Sequence, residues 1–377
     1  MNKKKQINFF MKKNSSRWFF WIPLATIIIL SLGVLIATSW YRIDYKIAEE
    51  LAKALQTEFG KYWSRFYETL GLTELFILII IYITILLETW FLTNINKNKP
   101  KFKKNYWIVD SYYIVILVVW IGANLTHLIL IPNTDYGFGK GIDYILIDNI
   151  KYMLTGASIA FCCQTLLLCL GFYYVRYQLV KKERLLKEQF WLKAIKGLSF
   201  AAITYIVILI LKGTTAHLYY YNAIFGYLYE KLPDEIKAAY QNSAAKFGFG
   251  ASNRNNIPWE LQYPWWKPNL GLIQSNPNMP RFSLPWEYSF PSGHINATFI
   301  TGSGVLLFLK NKDNNKVNWK IKLIFALWIV HVLSMNFALI VQRFHWISDT
   351  AFTFIFSSLM ILGINMTVNK IFAKQIK

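Results

Sequence analysis

Two short segments in the C-terminal part of the sequence combine histidine with residues that could orient it. The first is SFPSGHINATF, in which Ser292, Gly293 and His294 directly precede an apolar run. The second is QRFHWISD, in which His345 and Asp349 are four residues apart and so share one face of a helix. A carboxylate at that spacing can hold one imidazole nitrogen as a hydrogen-bond donor. The other nitrogen is then left to act as a nucleophile or a base.

The Pro-Ser-Gly-His turn allows two interpretations. In one, Ser292 caps a helix and His294 only lies at the membrane interface. In the other, the turn is a phosphate cradle. Gly293 would let backbone amides approach an anion, Ser292 would add a hydroxyl donor, and the helix N-terminus would contribute the positive end of its dipole. A phosphate bound there would have His294 near its leaving oxygen.

Composition and hydropathy place both segments in a membrane protein. The 377 residues are 55% hydrophobic and 18% aromatic, and the formal net charge is +21. Eight apolar blocks are long enough, or nearly so, to span a hydrocarbon core of roughly 30 Å. The blocks are 18–40, 73–93, 107–131, 154–176, 196–212, 294–310, 322–342 and 349–369. We therefore predict an all-α fold, a polytopic bundle of about eight transmembrane helices.

The basic residues indicate the orientation of this bundle. With the N-terminus in the cytoplasm, the segments on the inner side hold 26 of the 41 lysines and arginines. This excess is typical of cytoplasmic loops. It predicts that both termini are cytoplasmic and that His294, His345 and the long loop 213–295 lie on the extracytoplasmic side. The positive charge then reflects orientation and anionic lipid headgroups, and it does not indicate a nucleic-acid partner.

The three cysteines are best interpreted as packing residues. Cys162, Cys163 and Cys169 all lie within the fourth block, so no pair is available in the loops for a disulfide. The block also has no histidine or carboxylate at ligand spacing near them. We expect no metal site at these cysteines.

The order of the two histidine segments resembles a known family. PSGH followed later by HxxxD is similar to the phosphatidic acid phosphatase type 2 superfamily, which includes lipid phosphate phosphatases, glucose-6-phosphatase and vanadium haloperoxidases. The resemblance covers roughly residues 196–369, and SFPSGH is its most specific part. It predicts a division into N-terminal transmembrane helices with basic cytoplasmic loops, 1–195, and a phosphatase-like core with the long loop, 196–377.

The resemblance implies a role for each residue of the two motifs. His345 would attack phosphorus to form a phosphohistidine, and Asp349 would orient it. His294 would protonate the leaving group, while Ser292 and Gly293 would hold phosphate oxygens. For the phosphatases of the family, no metal or other cofactor is implied.

The family's first motif, Lys-x6-Arg-Pro, is incomplete in this sequence. Lys212 ends the fifth block, where the family's lysine belongs, but KGTTAHLYYY has tyrosines in place of the arginine and proline. Lys246 and Arg254 form a second candidate pair that is one residue too far apart. We prefer Lys212 for its position. We expect Arg254 or Arg281, folded back from the long loop, to supply the missing charge.

The third motif also departs from the family pattern. The family usually has an arginine six residues before the histidine, and Leu339 occupies that position here. Arg343 is four residues later, so on a helix it would lie about 40° around and about 6 Å along the axis. A guanidinium could recover most of that offset, and its geometry suits phosphate. The alternative is that Arg343 extends to lipid headgroups.

The sequence therefore predicts an integral membrane phosphatase with an extracytoplasmic site. Its substrate would be a lipid phosphate monoester or a diphosphate, for example phosphatidate, phosphatidylglycerophosphate or a polyprenyl diphosphate, met among the membrane lipids. Two alternatives remain open. A lipid phosphotransferase would use an acceptor hydroxyl in place of water. A non-catalytic binding or scaffold protein would keep the fold with a decayed phosphate site, as the incomplete Lys-x6-Arg-Pro motif favours.

Overall fold

The computed structural model describes residues 18–133, 150–224, 234, 264–268, 288–308 and 319–373. These residues form nine helices of 12 residues or more and no strand. The helices are α1 (Trp18–Ala37), α2 (Tyr41–Ala52), α3 (Glu58–Asn96), α4 (Trp107–Leu130), α5 (Ile150–Tyr173), α6 (Phe190–Thr215), α7 (Gly293–Phe308), α8 (Trp319–Val341) and α9 (Ile347–Ile371). A π-helix, Tyr174–Val180, extends α5, and shorter helical turns lie at Lys53–Gln56, Pro100–Lys104, Ile131–Asn133, Arg184–Lys187 and Tyr220–Ala223. The all-α prediction is confirmed.

The helices are those of a multi-pass membrane protein. Six of them are long and apolar enough to cross a bilayer: α3, α4, α5 with its π-helical extension, α6, α8 and α9. A seventh candidate is the pair α1 and α2, which is bent by 115°. Helix α7 has 16 residues, or about 24 Å at 1.5 Å per residue, which is short for a hydrocarbon core of about 30 Å. The described helices thus give six or seven candidate spans where the sequence predicts about eight.

Helix α3 begins well before the apolar block that predicts it. Thr57 caps its N-terminus, since the Thr57 hydroxyl accepts a hydrogen bond from the Gly60 amide at 3.0 Å. The first turns carry charges, including Arg65 and Glu68, whose side chains pair at 2.8 Å. These charges lower the local hydropathy, which explains why the predicted block starts only at residue 73.

The N-terminal helices pack directly against the C-terminal ones. Helix α3 contacts α6, α7 and α8 as well as α5. Gly197 lets α6 approach α3 closely, because a Cβ there would lie 2.3 Å from the Tyr82 ring. The Tyr82 hydroxyl is hydrogen-bonded to Ser303 of α7 at 2.7 Å. The division into 1–195 and 196–377 stays a prediction, and any boundary there crosses a packed interface.

Helix α2 connects the N-terminal region to the start of α9. Its buried face consists of Asp44, Ala48 and Ala52, which are four residues apart and therefore aligned on one side of the helix. This face packs against α8 and α9. The Asp44 carboxylate accepts a hydrogen bond from the Ile347 backbone amide at 3.2 Å. Asp44 therefore satisfies one of the free N–H groups at the N-terminus of α9.

We expect Asp44→Ala to lower the free energy of unfolding by about 1–3 kcal/mol, because the buried Ile347 amide loses its acceptor. Asp44→Asn keeps an acceptor oxygen and should lose less than half as much. Glu50→Ala is the matched control, since Glu50 lies on the exposed side of the same helix. Denaturation by increasing SDS in mixed micelles would measure all three. An alanine variant as stable as the Glu50 control would contradict this role of Asp44.

A part of the long loop packs where α1 and α2 meet. The Trp265 indole donates to the Leu35 carbonyl at 3.2 Å, and the Trp266 indole donates to the Ser39 carbonyl at 3.3 Å. The Trp265 ring also stacks on Phe290, with ring centroids 5.9 Å apart. These contacts bring the α1–α2 bend next to the Pro-Ser-Gly-His turn.

Candidate active site

Three chain segments meet at one end of the bundle and contain those predicted site residues that the structure describes. They are 212–221, which includes the end of α6, 288–294, which leads into α7, and 341–349, which joins α8 to α9. Backbone hydrogen bonds tie them together: the Ser289 amide donates to the His217 carbonyl at 2.8 Å, and the Tyr221 amide donates to the Arg343 carbonyl at 2.9 Å. The site is thus built from helix ends that are distant in sequence.

His345 and Asp349 form the predicted pair. Asp349 is the third residue of α9, and its Oδ2 accepts hydrogen bonds from the Trp346 amide and from His345 Nδ1, each at 3.1 Å. Both side chains are buried. Because an ionised carboxylate only accepts hydrogen bonds, this contact keeps the proton on Nδ1 of His345. The lone pair is then on Nε2, the nitrogen that can attack an electrophile.

The surroundings of His345 favour its neutral form. Burial lowers the pKa of the His345 imidazole, and the neighbouring Asp349 carboxylate only partly opposes this effect. A histidine with a lowered pKa is uncharged at neutral pH. His345 therefore carries the free electron pair that a nucleophile needs.

The Pro-Ser-Gly-His turn has the geometry of a helix cap. The Ser292 hydroxyl oxygen accepts from the Ile295 amide at 3.4 Å, while the Ser292 amide donates to the Thr353 hydroxyl of α9 at 2.9 Å. The Ser292 amide is therefore already used within the protein. The hydroxyl hydrogen of Ser292 remains the group of this residue that could bind a phosphate oxygen.

Packing within the protein does not explain the glycine of this turn. A Cβ at Gly293 would meet the Tyr205 ring at 3.9 Å, which is an ordinary van der Waals contact. The Gly293 carbonyl accepts a hydrogen bond from the Tyr205 hydroxyl at 3.2 Å. A side chain at this position would be tolerated by the protein atoms around it, so phosphate binding at Gly293 stays a prediction.

His294 faces His345 across the site. Their ring centroids are 6.2 Å apart and the ring planes meet at 71°. Nε2 of His294 is buried and has no hydrogen-bond partner among the described residues. Both imidazoles are close enough to contact one phosphate group bound between them.

Lys212 lies at the site, as its position in the sequence predicts. The side chain is buried, and Nζ donates to the carbonyl of Ser289 at 3.1 Å and to that of Tyr288. The ammonium lies 5.6 Å from the centre of the Tyr219 ring. Lys212 brings its amino group next to the histidines, and its binding of phosphate stays a prediction. Lys246, Arg254 and Arg281 lie outside the described residues.

A tyrosine occupies the position of the missing first-motif arginine. Tyr219 is buried, and its ring lies 5.6 Å from the His345 ring at an angle of 67°. An aromatic ring therefore packs edge-on against His345 at the position where the motif has a guanidinium. This ring helps to fix the orientation of the imidazole, but it brings no charge.

Arg343 is not on a helix, so the expected helical offset from Leu339 does not apply. Helix α8 ends at Val341, and Arg343 has a positive φ of 65° in the following turn. Leu339, at the family's arginine position, is fully buried in the apolar core. The turn changes the direction of the chain, which a helical extrapolation cannot include. Phosphate binding by Arg343 stays a prediction.

His217 lies at the site but belongs to none of the predicted motifs. Its Nδ1 lies 3.2 Å from Oδ1 of Asp349 and 3.0 Å from the Ser289 hydroxyl oxygen. The residue is buried and follows Ala216, whose positive φ of 47° ends α6. No periodicity relates His217 to Asp349. The available signal was a histidine only five residues after Lys212.

No metal site is found in the described part of the chain, where no group of three or more histidine, cysteine or acidic side chains could hold an ion. The cysteines Cys162, Cys163 and Cys169 are unpaired thiols on α5.

Comparison with known proteins agrees with this arrangement. Residues 234–373 match the PAP2 superfamily, a range that includes the Pro-Ser-Gly-His turn and the His345–Asp349 pair. An uncharacterized protein of Mycoplasma capricolum subsp. capricolum is 36% identical over 351 residues, which are 88% of this chain and 90% of that protein. No solved structure matches the chain. The chain belongs to the PAP2 superfamily, in the form of a multi-pass helical membrane protein.

Proposed function

We propose that the protein hydrolyses a lipid phosphate monoester or diphosphate through a phosphohistidine at His345. One observation carries this proposal: the His345 and His294 rings lie 6.2 Å apart, and Asp349 is bound to Nδ1 of His345. This arrangement provides a nucleophile and a proton donor on opposite sides of the place for one phosphoryl group.

In the first step, the Nε2 lone pair of His345 attacks phosphorus and forms a P–N bond. The P–O bond to the alcohol or phosphate leaving group breaks, and its electron pair goes to the leaving oxygen. His294 donates a proton from Nε2 to that oxygen. Asp349 holds the Nδ1 proton of His345 and stabilises the positive charge that develops on the imidazole.

In the second step, water replaces the leaving group. His294, now neutral, takes a proton from the water as its oxygen attacks phosphorus. The P–N bond breaks, and its electron pair returns to Nε2 of His345. Inorganic phosphate leaves, and the two histidines have regained their starting protonation.

The charge of the substrate fits this use of His294. Burial disfavours an imidazolium, whereas a phosphate dianion in contact with it favours the charged form. His294 would thus become the acid when the substrate is bound. Lys212 and Arg343 would oppose the negative charge of the three phosphoryl oxygens in the transition state.

The position of the site favours amphiphilic substrates. The catalytic side chains lie at the ends of apolar helices, so a lipid can remain in the bilayer while its phosphate reaches His345. Water-soluble phosphate esters lack this local concentration. Phosphatidate, phosphatidylglycerophosphate and polyprenyl diphosphates all meet the requirement.

Release of inorganic phosphate from these three lipids by the purified protein in nanodiscs would test the proposal. We expect turnover of at least one of them, and we expect EDTA to have no effect. Adding glycerol or another acceptor alcohol and analysing the products by mass spectrometry would identify a phosphotransferase. Absence of both free phosphate and transfer products for every lipid would contradict the proposed activity.

We propose further that the site lies on the extracytoplasmic side of the cell membrane and that both termini are cytoplasmic. The excess of basic residues in the opposite segments supports this orientation. Single cysteines introduced into the loop 213–295, in a background without the three native cysteines, should react with a membrane-impermeant maleimide on intact cells. Labelling only after lysis would place the site in the cytoplasm.

A further inference from the structure

Asp349 contacts a second histidine, His217, in addition to His345. Its Oδ2 accepts from His345 Nδ1 at 3.1 Å, while its Oδ1 lies 3.2 Å from Nδ1 of His217. All three side chains are buried. The carboxylate that orients the nucleophile is therefore shared with a residue at the end of another helix.

The neighbours of His217 determine which ring nitrogen carries its proton. The Ser289 hydroxyl donates to the Leu218 carbonyl at 2.9 Å, so its oxygen acts as an acceptor toward His217 Nδ1, 3.0 Å away. The Asp349 carboxylate is an acceptor as well. With acceptors on both sides, Nδ1 of His217 carries the hydrogen and shares it between Ser289 and Asp349.

We propose that His217 is a positioning residue of the phosphatase site, which holds Asp349 toward His345 and limits the negative charge that Asp349 directs at the nucleophile. This inference rests on the proposed function for its catalytic consequence. Each donor that binds a carboxylate stabilises the ionised form and weakens its attraction for the next proton or cation. His217 therefore keeps the carboxylate from favouring an imidazolium at His345.

His217 places an N–H dipole next to Asp349, whereas Tyr219, at the position of the first-motif arginine, has no cationic group. Other charged or titratable groups near the pair are Lys212 of α6, Asp44 of α2 and His294 of α7. Among the described residues, none of these three groups is hydrogen-bonded to Asp349, whereas Nδ1 of His217 lies 3.2 Å from its Oδ1.

Two substitutions separate the hydrogen bond from the volume of the ring. His217→Leu removes the donor and keeps most of the bulk, whereas the amide nitrogen of His217→Asn can take the position of Nδ1. We expect His217→Leu to raise the pKa of His345 by about one unit, because Asp349 then stabilises the imidazolium more strongly. His217→Asn should restore a value near that of the wild type.

Solid-state NMR of protein with ¹⁵N-labelled histidine in liposomes would measure this pKa without any turnover. The chain has five histidines, so each resonance can be assigned by single substitution. His127→Gln is the matched control, because His127 is exposed on α4, away from the site. Should His217→Leu misfold, His217→Gln would replace it, since its amide lies at the Nε2 position and leaves Asp349 without this donor.

When turnover of an active substrate is measured, the raised pKa of His345 should move the acidic limb of the kcat–pH profile to higher pH. At a pH below the His345 pKa of both enzymes, we expect kcat of the His217→Leu enzyme to be about tenfold lower than that of the wild type with little change in KM, and His217→Asn to recover it. An unchanged His345 titration in both His217→Leu and His217→Gln would overturn the inference, as would an equal shift in His217→Asn. If the wild-type protein has no phosphatase activity while the His217 variants show the expected shift of the His345 titration, only the proposed function is contradicted.

Discussion

We expect His345→Ala to lose phosphate release by a factor on the order of 10³ or more while it still folds. Without Nε2 of His345 no P–N bond can form, and water would have to attack phosphorus directly. The start of α9 should survive the substitution, because Asp349 keeps its hydrogen bond from the Trp346 amide at 3.1 Å and its contact with His217. The loss of activity would then report the lost nucleophile and not a lost fold.

The phosphoenzyme gives this prediction a second measurement. A lipid labelled with ³²P should transfer label to the wild-type protein, and the bond should resist alkali and break in acid, as expected of a phosphoramidate. His345→Ala should take up no label. His127→Gln, on an exposed part of α4, should be labelled like the wild type. Label on the His345→Ala variant, or a turnover of this variant above a tenth of the wild-type value, would rule out His345 as the nucleophile.

The scaffold alternative makes a different prediction for the wild-type protein itself. A phosphate site that no longer functions would neither take up label nor bind vanadate between His294 and His345. An active site should bind vanadate, because its trigonal bipyramidal form resembles the transition state of phosphoryl transfer. Binding of vanadate together with absence of turnover would point to an unidentified substrate.

Those parts of the fold that depend on local patterns could be predicted from the sequence. Six of the eight apolar blocks correspond to helices long and apolar enough to cross a bilayer, because the bilayer requires long apolar helices whatever their tertiary contacts. The His345–Asp349 pair also follows from local spacing, since four residues bring two side chains together at a helix start. The helix ends were harder to predict. Arg65 and Glu68, for example, lower the hydropathy of the first turns of α3, although in the structure they pair with each other within that helix.

The parts of the site that depend on tertiary packing were not predictable. His217 approaches Asp349 only because α6 ends at Ala216 and the chain turns toward α9. Asp44 reaches the Ile347 amide from α2, a helix that lies between the first two apolar blocks of the sequence and that no motif predicts. In both cases a residue without a recognisable motif acts on one that belongs to a motif. Arg343 shows the same limit, since its place depends on where α8 ends.

The effect of replacing His294 should depend on the leaving group of the substrate. We expect His294→Gln to reduce the rate of phosphoenzyme formation from a lipid monoester by about 10²–10⁴-fold, because an alkoxide leaves poorly without a proton. With p-nitrophenyl phosphate, whose leaving group is stable as an anion, the first turnover should slow by less than about tenfold. Rapid-quench measurement of the first turnover with both substrates tests this difference.

The second step should then reveal the other role of His294. Water still needs a base to attack the phosphohistidine, so dephosphorylation of the His294→Gln enzyme should be slow with either substrate. With p-nitrophenyl phosphate this produces a burst of about one p-nitrophenolate per active site, followed by a slow steady state. The wild type and His127→Gln should show a smaller burst, since their phosphoenzyme is hydrolysed faster.

These results would distinguish acid–base catalysis from simple binding by His294. A histidine that only binds phosphate would affect both substrates equally, because both present the same phosphoryl oxygens. Equal losses in the first turnover, without a burst, would therefore contradict the assignment. Unequal losses would show that the ring 6.2 Å from His345 acts on the leaving oxygen. Ser292 can serve both the helix and the site, because its oxygen can cap α7 while its hydroxyl hydrogen binds the phosphate beside His294.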